Sequence, residues 1–255
     1  MPELDNLSFY DQHPDIYHVL TGHRDMRREI NRYRLDPCQA GRTVELFAGP
    51  AYHSCELARR NWSGELWAID ASARMKELAI SRGFPDGERY LVGDVVERMQ
   101  AMTDATCVLI PRMSLGLIHP EQASQLVKSV ADSLVPGGSA YIELYRIDSL
   151  MTRLRQATAT PRQIMQGRRE FIYCSPARAP RWDQHAWHVW IPASITIREG
   201  TQQRVLEFES EEWLYTVSDV RSWLACDRFA SMSVELVGAN QVSSIFRLWS
   251  SSRQE

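Results

Sequence analysis

The sequence predicts an α/β fold built on a parallel sheet, and three similar segments in its first hundred residues are the evidence. The first, 42–60, is a short apolar strand, a turn that contains Gly49, and apolar residues at helical spacing. The second, 64–79, has a strand that ends at Asp70 and then a helix. The third, 90–97, repeats the pattern in a shorter form. Strands that alternate with helices in this way are typical of βαβ units and a parallel sheet.

The ends of these strands predict a ligand site. A tight turn before a helix exposes backbone N–H groups beside the positive end of the helix dipole. Asp70 comes 21 residues after Gly49, a spacing at which βαβ units place a carboxylate on the hydroxyl pair of a ribose. We therefore expect a nucleotide-like cofactor at this edge of the sheet.

The composition limits the other function classes. A chain of 255 residues with 44% hydrophobic content can bury one α/β core with an appended lobe. A net charge of −3 and a pI near 6.2 disfavour a protein that binds nucleic acid by neutralising phosphates. The sequence shows no signal-like or membrane-length apolar run, which predicts a soluble cytoplasmic protein. The five cysteines lack Cys-x-x-Cys spacing and are expected to be reduced thiols; they are Cys38, Cys55, Cys107, Cys174 and Cys226.

Taken together, the motifs resemble those of the class I S-adenosylmethionine (SAM) dependent methyltransferases. Glu45 and Gly49 match the first motif, Asp70 the second and Asp94 the third, and the likeness continues through the fourth strand, 104–110, and the turn into the fifth, 133–143. The resemblance implies a Rossmann-like seven-stranded sheet. A final strand pair, at 231–237 and 243–249, matches the reversed hairpin of that family.

The resemblance also implies a cofactor, S-adenosyl-L-methionine, and a set of residues that bind it. Asp70 is expected on the ribose hydroxyls, Asp94 on the adenine amine, and Glu45 with the Gly49 turn on the methionine end. No metal is needed for this chemistry. The full set of expected cofactor-binding residues is Tyr10, Tyr17, Glu45, Ala48, Gly49, Asp70, Ala71, Met75, Asp94, Val95, Arg112 and Ser114.

The first motif departs from the usual pattern of the family. Three glycines normally follow the acid, whereas this chain has Phe47, Gly49 and Ala51 at those positions. A Phe-Ala-Gly segment also resembles the first motif of the cytosine-5 DNA methyltransferases. A nicotinamide-binding Rossmann domain is the rival interpretation, and it is disfavoured because its pyrophosphate depends more heavily on the glycines.

Residues 1–40 predict a helical lid. Apolar residues at helical spacing predict two amphipathic helices separated by Thr21 and Gly22. The segment resembles the opening of small-molecule N-methyltransferases such as those that dimethylate amino sugars, which implies that Tyr10 and Tyr17 touch the cofactor. The alternative is an ordinary solvated helix pair with buried tyrosines.

The acceptor side is predicted from the segment after the fourth strand and from the C-terminal half. The sequence Met-Ser-Leu-Gly at 113–116 resembles the Phe-Ser-Ser-x-Gly segment of the amino-sugar dimethyltransferases, and the motifs of base-modifying DNA methyltransferases do not occur there. Predicted strands at 182–190, 194–198 and 203–209 form a small antiparallel substrate lobe. The expected domains are thus the lid, a core of 41–148 with 205–255, and an inserted lobe of 149–204.

Candidate residues for the acceptor follow from its expected chemistry. An amine must react as the neutral base, so a proton acceptor is useful, and His119, His188 and Tyr17 are the candidates. Aromatic and acidic side chains could hold a cation; those predicted are Glu143, Tyr145, Trp187 and Trp190. The alternative is that the tryptophans pack the sheet and the acids are solvated.

Three functions stay open at this stage. The first is methyl transfer to the amine nitrogen of a small molecule, an amino sugar or an amino-acid-derived amine or guanidine, in natural product biosynthesis. The second is methyl transfer to oxygen or carbon of a small molecule, or to a peptide end. The third is a non-catalytic SAM-fold binding protein. The predicted partners are a small-molecule amine and, through the lid or the aromatic sheet, a second copy of the chain, with neither nucleic acid nor membrane.

Overall fold

A computed structural model of the chain describes residues 6–22, 24–35, 41–155 and 159–250. The chain divides into a smaller unit, residues 1–24 with 147–214, and a larger unit, residues 25–146 with 215–255. Cys38 lies outside the described residues.

The larger unit contains the predicted sheet. Its strands lie in the order β11-β12-β5-β4-β1-β2-β3, and β12 runs antiparallel to both of its neighbours while the other pairs are parallel. This order confirms the Rossmann-like seven-stranded sheet with its reversed hairpin. The strands are β1 (Arg42–Leu46), β2 (Glu65–Asp70), β3 (Tyr90–Val92), β4 (Ala105–Ile110), β5 (Leu134–Tyr145), β11 (Met232–Ala239) and β12 (Ser243–Ser250).

Helices and short helical turns cover this sheet. Two of the helices begin at well-formed side-chain caps: Ser72 accepts from the Met75 N–H before α5, and Thr216 forms a reciprocal capping box with Asp219 before α9. The helices are α3 (Met26–Asn31), α4 (Tyr52–Arg59), α5 (Ala73–Ser81), α6 (Val95–Gln100), α7 (Pro120–Ser133) and α9 (Val217–Trp223), with 3₁₀ turns at Gly87–Arg89, Ser114–Leu117 and Asp227–Phe229.

The central strands of this sheet are buried on both faces. In β4, four consecutive residues from Cys107 to Ile110 are at most 1% exposed, which explains their unbroken apolar run. Leu57 of α4 and Tyr141 of β5 belong to the same core cluster. This packing holds the carboxyl ends of β1, β2 and β4 in fixed positions.

The smaller unit is an antiparallel sheet with helices. The strand order is β10-β9-β7-β6, and β8 pairs with β9. The core joins the N-terminal helices to this sheet, since Phe9 stacks on Phe208 with 4.1 Å between ring centroids. The elements are α1 (Asn6–Gln12), α2 (Pro14–Thr21), α8 (Ile147–Leu154), β6 (Arg162–Gln166), β7 (Arg169–Cys174), β8 (Arg181–Asp183), β9 (His188–Glu199) and β10 (Gln202–Trp213).

The boundaries of the two units differ from those of the predicted domains. Residues 205–214 belong to the smaller unit because β10 pairs with β9 along its whole length. Residues 25–35, which the sequence places in the lid, belong to the larger unit, where α3 packs against α4.

Three local predictions also differ from the structure. A further helix, α1, precedes the two predicted N-terminal helices. The segment 149–185, in which the sequence has only weak periodicity, contains most of α8 and the strands β6, β7 and β8. The predicted strand 182–190 is interrupted by a turn in which Trp187 has a left-handed backbone (φ 52°). In the part of the chain that the structure describes, no helix is long and apolar enough to cross a membrane.

Candidate cofactor site and acceptor-side residues

The turn between β1 and α4 has three residues in left-handed conformations. Phe47, Gly49 and Ala51 have φ of 50°, 50° and 49°. These are the positions at which the resemblance leads one to expect glycine. A side chain in this conformation costs about 1–2 kcal/mol per residue. The turn therefore keeps the backbone shape that glycines would allow, although two of the three residues carry side chains.

The peptide groups of Gly49 are held from both sides. Its N–H donates to Oδ2 of Asp70 over 2.8 Å, and its carbonyl accepts from the Tyr90 hydroxyl over 2.6 Å. Ala48, the residue before it, donates its N–H to the Ile69 carbonyl over 3.0 Å. The turn is thus tied to the carboxyl end of β2, and the two predicted motifs meet in space.

Asp70 has the features of a carboxylate that can take further donors. Its Oδ1 accepts the Ser72 N–H over 2.9 Å, and its Oδ2 accepts from Gly49. Burial raises the pKa of Asp70, and the two N–H donors oppose that rise. Each oxygen of a carboxylate has two acceptor positions, so a hydroxyl pair fits beside these backbone donors. Of the neighbouring predicted residues, Ala71 is exposed and Met75 is 2% exposed.

Asp94 begins α6 as its N-cap. Its Oδ1 accepts from the N–H groups of Val96 and Glu97 at 2.8 and 3.0 Å, and the residue is exposed. Val95 is buried beside it. The cap uses Oδ1 for both bonds, and Oδ2 is the oxygen that a ligand amine would meet.

Glu45 is buried within β1 and is fully surrounded by donors. It accepts from Nδ1 of His53 at 2.9 Å, and from the N–H and the hydroxyl of Ser54 at 2.8 and 2.7 Å. Burial raises the pKa of Glu45, but these donors lower it by more, so the net shift is downward. Glu45 therefore acts on the turn through the first residues of α4.

His53 is a member of this site that the sequence did not single out. It is 1% exposed, and its Nε2 lies 3.4 Å from Oε1 of Glu29 in α3. The two carboxylates raise the pKa of His53 to about 9 against the opposing effect of burial. The available signal was its place in the first turn of α4, eight residues after the acid of the first motif.

Arg112 and Ser114 follow β4, where the acceptor-side loop was predicted. The Arg112 guanidinium pairs with Glu29 at 2.9 and 3.2 Å, and it lies over the Tyr52 ring at 5.0 Å. The Ser114 hydroxyl donates to the Pro111 carbonyl over 2.7 Å. The predicted cofactor contacts of both side chains stay predictions, and both already have these internal contacts.

Glu143, predicted to bind the acceptor, lies in an internal network instead. This 2% exposed carboxylate accepts from Arg32 at 2.9 Å, from the Tyr33 hydroxyl at 3.0 Å, from the Arg112 N–H at 2.8 Å and from the Ser243 hydroxyl. The sequence could not show this, because its side-chain partners are about a hundred positions away. Tyr145, at the end of β5, is half-buried.

His119, a candidate proton acceptor, is the N-cap of α7 in the larger unit. It is exposed, and its Nδ1 accepts the Glu121 N–H over a long 3.5 Å. In the neutral tautomer that this bond favours, Nε2 carries the hydrogen. To take a proton, the ring has to give up this weak cap.

The other aromatic candidates form a cluster in the smaller unit. The His188 ring stacks on the Trp213 ring, with 3.9 Å between ring centroids and 6° between ring planes, and its centroid also lies 3.9 Å from that of Trp190. Its Nε2 lies 3.0 Å from Oε1 of Glu211. Trp187 is 50% exposed and meets Trp182 edge-on at 6.3 Å.

Tyr10 and Tyr17 also lie in the smaller unit. Their rings meet edge-on at 5.1 Å, and both pack against the core of that unit. The structure thus brings Trp187, His188 and Trp190 together in one unit, and Glu45, Gly49 and Asp70 in the other. Among the residues that the structure describes, no group of three or more His, Cys, Asp or Glu is placed to hold a metal ion.

The chain has the α/β fold of the class I SAM-dependent methyltransferases. No protein-family model and no curated protein matches the sequence. Solved structures do match its fold over nearly the whole chain.

Three solved structures illustrate the likeness. DesVI of Streptomyces venezuelae has a TM-score of 0.73 and 17% identity, over 94% of this chain and 98% of its own. The sugar N-methyltransferase KedS8 of a Streptoalloteichus species has a TM-score of 0.72 and 15% identity, over 93% and 92%. CalS10 of Micromonospora echinaspora, an amino pentose methyltransferase solved with SAM bound, has a TM-score of 0.70 and 14% identity, over 93% and 95%.

Proposed function

We propose that the protein is a SAM-dependent methyltransferase that acts on an amine nitrogen of a small molecule. The observation that supports this most is the bond from the Gly49 N–H to Asp70, which joins a left-handed turn before a helix to an acid at the end of the next strand. SAM is a nucleoside with an attached amino acid: the acid can bind its ribose, and the turn can bind its methionine part. Solved structures with the same fold, KedS8 and CalS10, are described as sugar and amino pentose methyltransferases.

In this proposal each residue has a limited task. SAM supplies an electrophilic methyl group on its sulfonium. Asp70 holds the ribose hydroxyls, Asp94 accepts from the adenine amine, and the Gly49 turn orders the methionine end. In-line transfer needs two aligned partners and little else, and such alignment lowers a barrier by about 7–11 kcal/mol. Asp70, Asp94 and the Gly49 turn are the residues that we propose hold the cofactor for this chemistry.

The acceptor we propose is an amino sugar or an amino-acid-derived amine. The aromatic cluster of the smaller unit supports this choice, because half-exposed Trp187 and its neighbour Trp182 offer ring faces to a cation or to a sugar. The same unit carries Glu209 and Glu211 near the cluster, and Glu211 is paired with His188. His119 is the proposed proton acceptor of the larger unit, since it is exposed and its cap bond is long.

Calorimetric titration with S-adenosylhomocysteine tests the cofactor assignment. The wild-type protein is expected to bind it at micromolar concentration, and Asp70→Asn to bind at least tenfold more weakly, because a charge-assisted bond to the ligand is worth about 1.5–3 kcal/mol. Asp86→Asn is the matched control: Asp86 accepts the Glu88 N–H at a turn much as Asp70 accepts that of Ser72, yet lies away from the turn after β1.

Each outcome of this titration has a definite consequence. Equal losses in Asp70→Asn and Asp86→Asn would contradict the assigned site. If the wild-type protein does not bind S-adenosylhomocysteine, the non-catalytic alternative is favoured. That alternative is based on the side chains of Phe47 and Ala51, which stand in the turn where the family has glycines. With binding established, mass spectrometry of amines incubated with SAM is expected to show gains of one or two methyl groups. Fragmentation that places the methyl on oxygen or carbon would replace the amine assignment.

A further inference from the structure

A row of alternating charges runs through the interior of the larger unit, and His53 stands in its middle. Glu45 in β1 contacts His53 at 2.9 Å, His53 lies 3.4 Å from Glu29 in α3, and Glu29 pairs with Arg112 at 2.9 Å. The exposed fractions of these side chains range from 1% to 12%. The row therefore links the acid of the cofactor turn to the loop that follows β4.

The two carboxylates beside His53 favour the charged form of its ring. Both ring nitrogens face a carboxylate oxygen, Nδ1 that of Glu45 and Nε2 that of Glu29. A neutral imidazole has one N–H and one lone pair, so it would turn a lone pair toward one of the two acids. The imidazolium donates to Glu45 through Nδ1 and turns its second N–H toward Glu29 at 3.4 Å, an ion-pair contact without hydrogen-bond geometry. The pKa of His53, raised to about 9 by these carboxylates, agrees with this reasoning.

The charge balance of the surrounding network leads to the same result. The Arg112 guanidinium donates to Glu29, and the backbone N–H of Arg112 donates to a third acid, Glu143. Glu143 in turn pairs with Arg32. The acids and the cations are equal in number when His53 is protonated; the acids are Glu29, Glu45 and Glu143, and the cations are Arg32, Arg112 and His53. A neutral His53 leaves one buried negative charge without compensation, which is costly in a low-dielectric interior.

The other titratable groups around His53 do not replace it as a donor. The Tyr33 ring meets the imidazole edge-on at 5.6 Å, and its hydroxyl donates to Glu143. Cys55, in the same helix, has its pKa raised to about 11 by burial and by Glu45, so its thiol is neutral at ordinary pH.

We infer that His53 is a positioning residue for the cofactor turn: as an imidazolium between Glu45 and Glu29, it fixes the Glu45 carboxylate under the turn and couples that turn to the loop that carries Arg112. The inference rests on the proposed cofactor site. It assigns His53 no contact with the methyl group or the acceptor. Its effect passes through Glu45 on one side and through Glu29 on the other.

His53→Gln tests this role, because a glutamine amide cannot donate to both acids across the span of the ring. The dissociation constant of S-adenosylhomocysteine is expected to rise about tenfold or more, the loss that accompanies a buried charge-assisted hydrogen bond. Tyr33→Phe is the matched control. It keeps the ring against His53 and removes the bond to Glu143, so it perturbs the same network while leaving Glu45 in place. Its expected effect is a lower melting temperature with a dissociation constant within about twofold of the wild type.

The pH dependence separates positioning from a purely structural role. The dissociation constant of the wild type is expected to rise as pH passes through about 9, where His53 loses its proton. The titration of the ligand's own amine affects every protein sample equally, so the comparison with folded His53→Gln isolates the contribution of His53. Parallel pH curves for the two proteins would overturn the inference, as would unchanged affinity in the variant.

A second measurement applies if His53→Gln fails to fold. In wild-type protein labelled with ¹⁵N at histidine, the His53 ring, assigned by removing the exposed histidines one at a time, is expected to show two protonated nitrogens at pH 7.5. A neutral ring at that pH would overturn the inference. If wild-type protein binds no S-adenosylhomocysteine, the proposed function fails; if it binds and His53 proves neutral or without effect, this inference alone fails.

Discussion

The two units of the molecule use charged side chains in different ways. In the larger unit, Glu143 and Arg32 are paired at 2.9 Å with side chains 3% and 19% exposed. In the smaller unit, Arg169 and Glu199 pair at 2.8 Å, but each is 53% exposed. If the exposed pair Arg169–Glu199 separates, water solvates both charges. If one partner of the buried pair Arg32–Glu143 is lost, the other charge stays buried without a counter-charge. The comparison teaches that similar distances in the two units correspond to very different contributions to stability.

The largest expected effect comes from breaking the buried pair. Glu143→Gln is expected to lower the free energy of unfolding by about 3–5 kcal/mol, because Arg32 is left without its buried counter-charge. Glu199→Gln is the matched change in the smaller unit, with an expected loss below about 1 kcal/mol. Urea denaturation of both variants measures the difference, and equal losses would contradict the contrast between the units.

The pH dependence of stability is expected to be the next largest effect. The pKa of His53 is 6.5 in the unfolded chain and about 9 in the folded protein. Between these values the folded state holds the extra proton, so stability is fully present below pH 6.5 and is lost as pH rises through 9. The expected loss is about 3 kcal/mol, from about 1.4 kcal/mol per pKa unit. Denaturant titrations between pH 6.5 and 9.5 measure it, and His53→Gln is expected to abolish this slope.

The smallest effect on stability is expected at Trp187 in the smaller unit. Trp187→Ala should change the unfolding free energy by less than about 1 kcal/mol, since the side chain is half exposed. Its effect on function should be larger: the Michaelis constant of the amine acceptor is expected to rise about fivefold or more, with unchanged affinity for S-adenosylhomocysteine.

Leu236→Ala is the control for that variant, since Leu236 is a 60% exposed apolar residue of the larger unit. It should leave the Michaelis constant unchanged. An unaltered constant in Trp187→Ala would remove Trp187 from the acceptor site.

The sequence predicted the sheet of the larger unit well because its signals are local. Each strand there is a short apolar run, and the acid or glycine that follows it marks the turn, as at Gly49 and Asp70. Strands β6 and β7 were missed because their residues alternate weakly between apolar and polar; Arg162–Gln166, for example, has two apolar side chains in five positions. β7 depends on pairing with β9 and β6 on pairing with β7, which no local pattern shows.

The internal network was beyond sequence reasoning for a different reason. Glu143 was predicted to bind the acceptor because a carboxylate can pair with an amine or guanidinium. Its side-chain partners are Arg32 and Tyr33, which directly follow α3, and Ser243 of β12, and only the fold brings these together. The absence of glycine at Phe47 and Ala51 suggested an altered turn, yet both residues adopt the left-handed backbone. Tertiary contacts there outweigh the local preference.

The pairing of Phe9 with Phe208 has a consequence for how the chain is made. The first two helices leave the ribosome about 200 residues before the strand that covers them. At about 5–20 residues per second, this interval is roughly 10–40 s. Until β6 and β7 have been made, Phe9, Ile16 and Leu20 have no native partner in the sheet that they later join. The nascent chain therefore carries an uncovered apolar surface on these two helices until that sheet forms, and this is the period in which it would depend most on chaperones.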